Sequence, residues 1–98
     1  MKLHMSSLKF DADIKLLNFI QKKADKLDLF HDRIIDGEVF LRLNKDKEKK
    51  DKVVEMKLNI PGKTLFAKQN AVSFEAAADE AVEALRRQLR KAKPKASA

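Results

Sequence analysis

A strict alternation of apolar and polar residues precedes a Pro-Gly pair in the second half of the chain; its apolar members are Val54, Met56, Leu58 and Ile60. Alternation with period two predicts a strand that buries only one of its faces. Because proline fixes φ and glycine accepts positive φ, Pro61-Gly62 predicts a tight turn into another strand, with Leu65 and Ala67 on its inner face. Such a sheet needs a second layer to cover its apolar side.

Two segments repeat apolar residues at steps of three and four, which predicts amphipathic helices. The first begins after Asp11 or Asp13, whose short side chains suit a helix N-cap, and extends to about Leu29 or Phe30. The second begins after Ser73, and its apolar stripe consists of Phe74, Ala78, Ala81, Val82, Leu85 and Leu89.

Two further strands are predicted in the first half of the chain. Residues 2–6 alternate, and a later shift in the parity of the apolar residues predicts a bulge or bend near Ser6-Ser7. Asp36-Gly37 predicts a turn, and the strand after it carries Val39, Leu41 and Leu43 on one face. The nearly all-charged run over residues 44–52 predicts a solvated loop.

The predicted order is therefore β-α-β-β-β-α, an α+β fold with a four-stranded mixed sheet and two helices packed on one face. We expect a single domain over residues 1–93 and a short flexible tail over residues 94–98.

The charge balance favours a polyanionic partner. The chain has 22 Lys and Arg against 15 Asp and Glu, a formal net charge of +7, which favours nucleic acid over an anionic membrane. No cysteine is present, and no apolar run approaches the roughly 18 residues of a membrane span. We therefore expect a cytoplasmic protein without a membrane partner.

Catalysis is not expected from this sequence. His4 and His31 share no motif, and the sequence holds no metal-ligand, phosphate-loop or dinucleotide signature. We expect no catalytic residues, no metal, no cofactor and no small-molecule substrate.

The basic residues are segregated on both helices. On a helical wheel, Lys15, Lys22 and Lys26 share one strip of the first helix with Lys23 on its flank, opposite Asn18, Gln21, Asp25 and Asp28. The second helix is acidic early and basic late, with Arg86, Arg87, Arg90 and Lys91 in its last turns. The helix dipole accounts for one or two such cations, so phosphate contact is the favoured interpretation of the cluster.

The open face of the sheet allows two interpretations. Phe40 and Phe66 point away from the helices, with Arg42, Lys57 and Lys68 near them. Exposed aromatic residues on a sheet can stack RNA bases. A cross-strand pair that shields the sheet is the favoured alternative.

Three segments, in this order and spacing, resemble the ribosome hibernation promoting factors, also called ribosome-associated translation inhibitors, in their short form. They are Met1-Lys2-Leu3-His4-Met5, Phe19-Ile20-Gln21-Lys22-Lys23-Ala24-Asp25-Lys26-Leu27 and Leu85-Arg86-Arg87-Gln88-Leu89-Arg90-Lys91. The resemblance implies a fold similar to a double-stranded-RNA-binding domain. It also implies binding to ribosomal RNA of the small ribosomal subunit, in the channel of messenger RNA and of transfer RNA at the A and P sites, and inhibition of translation in starved or stationary cells. The RNA-binding residues that it implies are Lys22, Lys23, Lys26, Arg86, Arg87, Arg90 and Lys91.

Two departures from the family pattern bear on function. Longer members carry a second, carboxy-terminal domain that pairs ribosomes, and this chain stops at Ala98, so pairing would need a second factor. The family often has an aromatic hydroxyl early in the second helix, where this chain has Phe74. Two alternatives stay open: a general double-stranded-RNA-binding module without ribosomal preference, and a scaffold that binds an acidic protein.

Overall fold

The structure, a computed structural model, describes residues 1–45 and 49–92. The elements are β1 (Leu3–Ser7), α1 (Ile14–Asp25), a 3-10 turn (Lys26–Leu29), β2 (Asp36–Leu43), β3 (Lys52–Ile60), β4 (Lys63–Ala71) and α2 (Phe74–Ala92). The sheet order is β1-β2-β3-β4; β1 and β2 are parallel, and the other pairs are antiparallel. The predicted α+β fold and its element order are confirmed. The expected tail at 94–98 and the centre of the charged loop lie outside the described residues.

Both helices pack on one face of the sheet, where apolar side chains from the two layers form the core. Its largest fully buried side chains are Ile20, Leu27, Leu41, Met56, Leu58, Leu85, Leu89, Val39 and Val54. Burial of one such side chain contributes about 1.5–3 kcal/mol to the free energy of folding. The packing of the helices on the sheet therefore determines which helix faces remain at the surface. No helix among the described residues is long and apolar enough to cross a bilayer.

Each helix begins at a side-chain cap. Asp13 Oδ1 accepts a hydrogen bond of 2.8 Å from the backbone N–H of Leu16. Ser73 Oγ accepts one of 3.1 Å from the backbone N–H of Ala76. Both caps satisfy amide groups that have no partner within the first helical turn. Of the two aspartates considered from the sequence, Asp13 is the cap.

Of the bulge or bend predicted near Ser6-Ser7, the bulge is wrong, and the bend lies directly after the strand. The parallel register of β1 runs without interruption from Leu3 opposite Gly37 to Ser7 opposite Leu41, and Leu8 N donates to Leu41 O at 2.9 Å. The chain bends after the strand instead, at Lys9, whose φ of 64° is left-handed. The parity shift therefore marks the exit from the sheet.

The predicted turn at Asp36-Gly37 is also wrong, because both residues belong to β2. A Cβ on Gly37 would lie 2.7 Å from Leu3 Cδ2 and 3.0 Å from Lys57 O. Gly37 therefore serves close packing between strands rather than chain reversal. The turn at Pro61-Gly62 is confirmed, and Gly62 has a φ of +77° there.

Three contacts show that the two helices run parallel. The Phe10 and Phe74 rings stack with centroids 5.0 Å apart where the helices begin. Further along, Lys23 Nζ lies 3.1 Å from Asp79 Oδ1. The Arg86 guanidinium then lies 5.7 Å from the centroid of the Phe30 ring, beyond the end of α1. The partners follow the same order in both segments, so the basic last turns of α2 extend past the end of α1.

Candidate nucleic-acid interface

The basic edge of α1 is present, and its flank at Lys23 faces α2. Lys22 is exposed on α1, and Lys26 is exposed in the 3-10 turn that continues it. Lys23 is half-buried, and its ammonium lies 5.6 Å from the centroid of the Phe19 ring. The aliphatic stem of Lys23 therefore packs between the helices, while Lys22 and Lys26 project into solvent.

The opposite, acidic edge of α1 holds the amino terminus. The Met1 ammonium donates to Asp25 Oδ1 at 3.0 Å and to Asp28 Oδ2 at 2.8 Å, and Gln21 Nε2 donates to Met1 O at 2.9 Å. The hydrogen bonds to Asp28 and Asp25 raise the pKa of the ammonium above its ordinary value. The carboxylates on the acidic edge therefore have a structural role, because Asp25 and Asp28 bind the amino terminus.

Asp25 titrates below its ordinary range. Partial burial opposes its ionisation, but the hydrogen bonds from the Met1 ammonium and from Gln21 outweigh burial and lower the pKa of Asp25. Asp25 therefore stays ionised at neutral pH and keeps β1 attached to α1.

The basic end of α2 contains internal ion pairs. Arg86 Nε donates to Glu83 Oε2 at 3.0 Å, and Arg86 Nη2 makes a second bond to the same carboxylate. Arg87 Nη1 lies 4.0 Å from Glu83 Oε1. The hydrogen bonds from Arg86 lower the pKa of the Glu83 carboxyl, so this acceptor is ionised at neutral pH. Arg86 and Arg87 are thus engaged in the unbound protein.

Four of the seven expected RNA-binding side chains are free to contact a ligand. Lys22, Lys26, Arg90 and Lys91 are exposed and make no ion pair within residues 1–45 and 49–92. The other three, Lys23, Arg86 and Arg87, pair with Asp79 or Glu83. The cations of both helices lie on the same side of the sheet, but these carboxylates lie among them.

Sequence reasoning missed both carboxylates as neighbours of the cations. The spacing of Glu83 to Arg86 and Arg87 is i,i+3 and i,i+4, which the sequence alone could have indicated. The pair between Lys23 and Asp79 depends on how the helices pack, and no local pattern reveals it.

The open face of the sheet also differs from the favoured expectation. Phe40 lies opposite Ser6 and Glu55, whereas Phe66 lies opposite Lys57 on the far side of β3. The two rings are therefore separated by a strand, and the expected shielding cross-strand pair is wrong. A groove of about 490 Å³ opens beside Phe40, and Leu8 forms part of its lining.

The fold and the charge distribution define a two-layer α+β domain with a mixed sheet on one side and two parallel helices, basic in part, on the other. The chain belongs to the family described as sigma 54 modulation protein / S30EA ribosomal protein, whose profile matches residues 3–97. A protein of Deinococcus radiodurans named ribosome hibernation promotion factor is 35% identical over 77 residues. The resemblance drawn from the three sequence segments is confirmed.

That alignment covers 76% of this chain and 40% of the relative, so the chain spans less than half the length of that curated relative. Two solved structures are similar throughout. The Thermus thermophilus Protein Y N-terminal domain has a TM-score of 0.84 at 20% identity, over 95% of this chain and 100% of that one. A ribosomal subunit interface protein from Coxiella burnetii has a TM-score of 0.85 at 24% identity, over 95% and 98%. At these identities the likeness establishes the fold alone.

Proposed function

We propose that this chain is a ribosome hibernation factor of the cytoplasm that binds the small ribosomal subunit and blocks translation. Its site is the channel that messenger RNA and the A-site and P-site transfer RNAs use. Family membership and the name of the Deinococcus radiodurans relative support a ribosomal role. The observation that carries the proposal for the site is a group of exposed cations on the helical layer that make no ion pair within the described residues: Lys22, Lys26, Arg90 and Lys91.

These cations suit a folded RNA surface. The parallel helices place Lys22 and Lys26 on one ridge, and Arg90 and Lys91 further along the other. Lysine and arginine on such ridges bind backbone phosphates and release counterions, which supplies affinity without reading the base sequence. Since A-form RNA hides its major groove, shape and phosphate position set the site.

Inhibition in this proposal is competitive occlusion rather than catalysis. A rigid domain bound between RNA elements excludes messenger and transfer RNA from the same volume. Lys23, Arg86 and Arg87 lie beside these cations and join the interface only where Asp79 and Glu83 release them. Where two ribosomes are paired, we propose that a second factor takes part.

The test is sedimentation of the purified chain with isolated small subunits, combined with translation in a cell-free extract. We expect the protein to travel with small subunits and to lose inhibition when messenger and transfer RNA are bound first. Inhibition that is unaffected by prior loading of the channel would contradict occlusion.

A general double-stranded-RNA-binding module is the second candidate, because phosphate contacts on two helices carry no sequence preference. Competition separates the two functions. A ribosome-specific factor stays on small subunits in the presence of a duplex RNA at the same phosphate concentration. A general module is removed by that duplex.

A further inference from the structure

No helix or strand of the described residues covers the face of the sheet opposite the helices, and this face carries two separate aromatic rings. Phe66 is 45% exposed, and Phe40 is half-buried at the edge of the groove. A single exposed phenylalanine is ordinary in a soluble protein. Two rings on one open face, with a groove beside one of them, form a surface on which flat ligands can stack.

The groove combines apolar walls with polar groups at its rim. Leu8 and Phe40 supply the apolar lining, and Ser6, Arg42 and Lys57 supply hydroxyl, guanidinium and ammonium groups. Its volume of about 490 Å³ lies in the range of about 300–1,000 Å³ that small-ligand sites occupy. A nucleobase has this mixture of a flat apolar face and hydrogen-bonding edges.

The charges on this face select the class of ligand. Arg42 and Glu55 form an ion pair and neutralise each other. Lys57 and Lys68 make no ion pair with a carboxylate in the described part of the chain. Although Glu38 lies opposite Lys57 in the strand register, the ammonium lies 6.0 Å from the centroid of the Phe40 ring. Uncompensated cations beside aromatic rings fit an anion that carries stacking groups.

We propose that the open face of the sheet binds a short single-stranded RNA segment. One base lies in the groove against Phe40, a second stacks on Phe66, and Lys57 and Lys68 contact the phosphates. This surface is separate from the helical surface of the proposed function and would let the domain bind RNA on two sides. Duplex RNA does not fit, because its bases are already stacked within the helix.

The strand register gives the spacing of the two bases. Phe40 and Phe66 are two strands apart and are offset by two residues through Glu55 and Lys57. Strands about 4.8 Å apart with a rise of about 3.3 Å per residue place the rings roughly 11–12 Å apart. Lys57 lies between them, where the connecting backbone of the RNA would pass.

The experiment is a titration of the isotopically labelled chain with the single-stranded hexanucleotide U6, followed by NMR and by fluorescence anisotropy. We expect shift changes at Ser6, Phe40, Lys57 and Phe66. The F66L variant removes the exposed ring but keeps an apolar side chain, and K57Q removes the central cation. Each should weaken U6 binding roughly five-fold or more, because base–aromatic stacking and phosphate contacts are both lost in such changes.

Leu29 is exposed in the 3-10 turn that follows α1, and Lys63 is exposed at the hairpin. L29S and K63Q are therefore the matched controls and should bind U6 as the parent does. Shift changes confined to Lys22, Lys26 and α2 would overturn the proposal, as would unchanged binding by F66L. Displacement of U6 by decaglutamate at an equal charge concentration would also overturn it in favour of an acidic protein partner. These readouts involve no ribosome, so failure of the proposed function leaves their outcome unchanged.

Discussion

Lys23 of α1 and Asp79 of α2 form an ion pair of 3.1 Å that joins the two helices on the layer proposed to bind RNA. In the proposed complex, the carboxylate that orients the lysine also competes with phosphate for it. Glu83 has the same relation to Arg86 and Arg87. The unbound protein therefore holds part of its positive charge in internal pairs.

Replacement of Asp79 by asparagine should strengthen RNA binding. The change frees Lys23 for phosphate, and an exposed ion pair of this kind contributes about 0.2–1 kcal/mol. We therefore expect Kd for small subunits to fall roughly 1.4- to five-fold. Stability should decrease by less than about 1 kcal/mol. Filter binding and urea denaturation measure the two effects.

Glu80→Gln is the matched control for this prediction. Glu80 is exposed on the same helix and makes no ion pair among the described residues, and its loss changes net charge equally. If E80Q strengthened binding as much as D79N, the effect would be net charge alone. Weaker binding by D79N would show that the interhelical pair positions the surface.

The salt dependence of binding reports how many cations contact phosphate. On duplex DNA, each phosphate contact contributes about −0.9 to the slope of log K against log salt. If Lys22, Lys26, Arg90 and Lys91, which make no ion pair within the described residues, each contact one phosphate, the slope should be about −3 to −4. The D79N/E83Q double variant should have a slope steeper by one to three units. A parent slope near −6, unchanged in the double variant, would mean that the internal pairs already open on binding.

Gly37→Ala should destabilise the fold by about 1–3 kcal/mol, because the new methyl group has no room beside Leu3 and the backbone of Lys57. Leu3→Ala should cost at least about 0.5 kcal/mol less in the G37A background than in the parent, since it removes one of the clashing groups. Urea denaturation of the four proteins gives this coupling. Equal costs of Leu3→Ala in both backgrounds would refute the packing role of Gly37. The control is G62A, at a position with positive φ and open space around it, where we expect no coupling to Leu3→Ala.

In a chain that begins at Met1, the ion pairs of the Met1 ammonium with Asp25 and Asp28 should stabilise the domain within a defined pH range. The raised pKa of the ammonium means that its contribution is complete below pH 8.0 and is lost as pH rises through the folded value. The lowered pKa of Asp25 means that its contribution is complete above pH 3.8 and is lost as pH falls through the folded value.

The stability difference between the parent and D25N/D28N should therefore be largest between about pH 4 and pH 8 and should shrink on both sides. Denaturation midpoints across the pH range measure it. A difference that does not vary with pH would contradict the ion pair as its source, and E80Q should show no such window.

The elements of the fold were predictable because period-two and period-3.6 patterns report directly which face is buried. Side-chain chemistry alone predicted the cap at Ser73 and offered Asp11 or Asp13 as the other cap, which is Asp13 in the structure. Gly37 was misassigned because a glycine that makes room for Leu3 has the same sequence pattern as a glycine in a turn. The sequence did not predict the left-handed backbone of Lys9, since lysine rarely adopts that conformation.

The site was predictable as a set of cations on two helices, but not as an electrostatic arrangement. A helical wheel places Lys23 beside Lys22 and Lys26, yet the packing of α1 against α2 decides that Lys23 faces Asp79. The contact of Asp25 with Met1 joins residues 24 positions apart and depends on the position of β1 beside α1. Long-range pairs of this kind depend on tertiary packing, which no local pattern encodes.

The most direct test of the account is the affinity for small ribosomal subunits of the variant K22E/K26E/R90E/K91E. It reverses to glutamate four exposed cations of the helical layer that make no ion pair within the described residues. Its control reverses four exposed lysines away from the helices, K45E/K49E/K50E/K63E, and so carries the same net charge. We expect the helical variant to lose at least roughly 100-fold in affinity and the control less than roughly ten-fold, since direct phosphate contacts outweigh screened long-range charge. Equal losses in two folded variants would contradict the helical layer as the ribosome-binding surface.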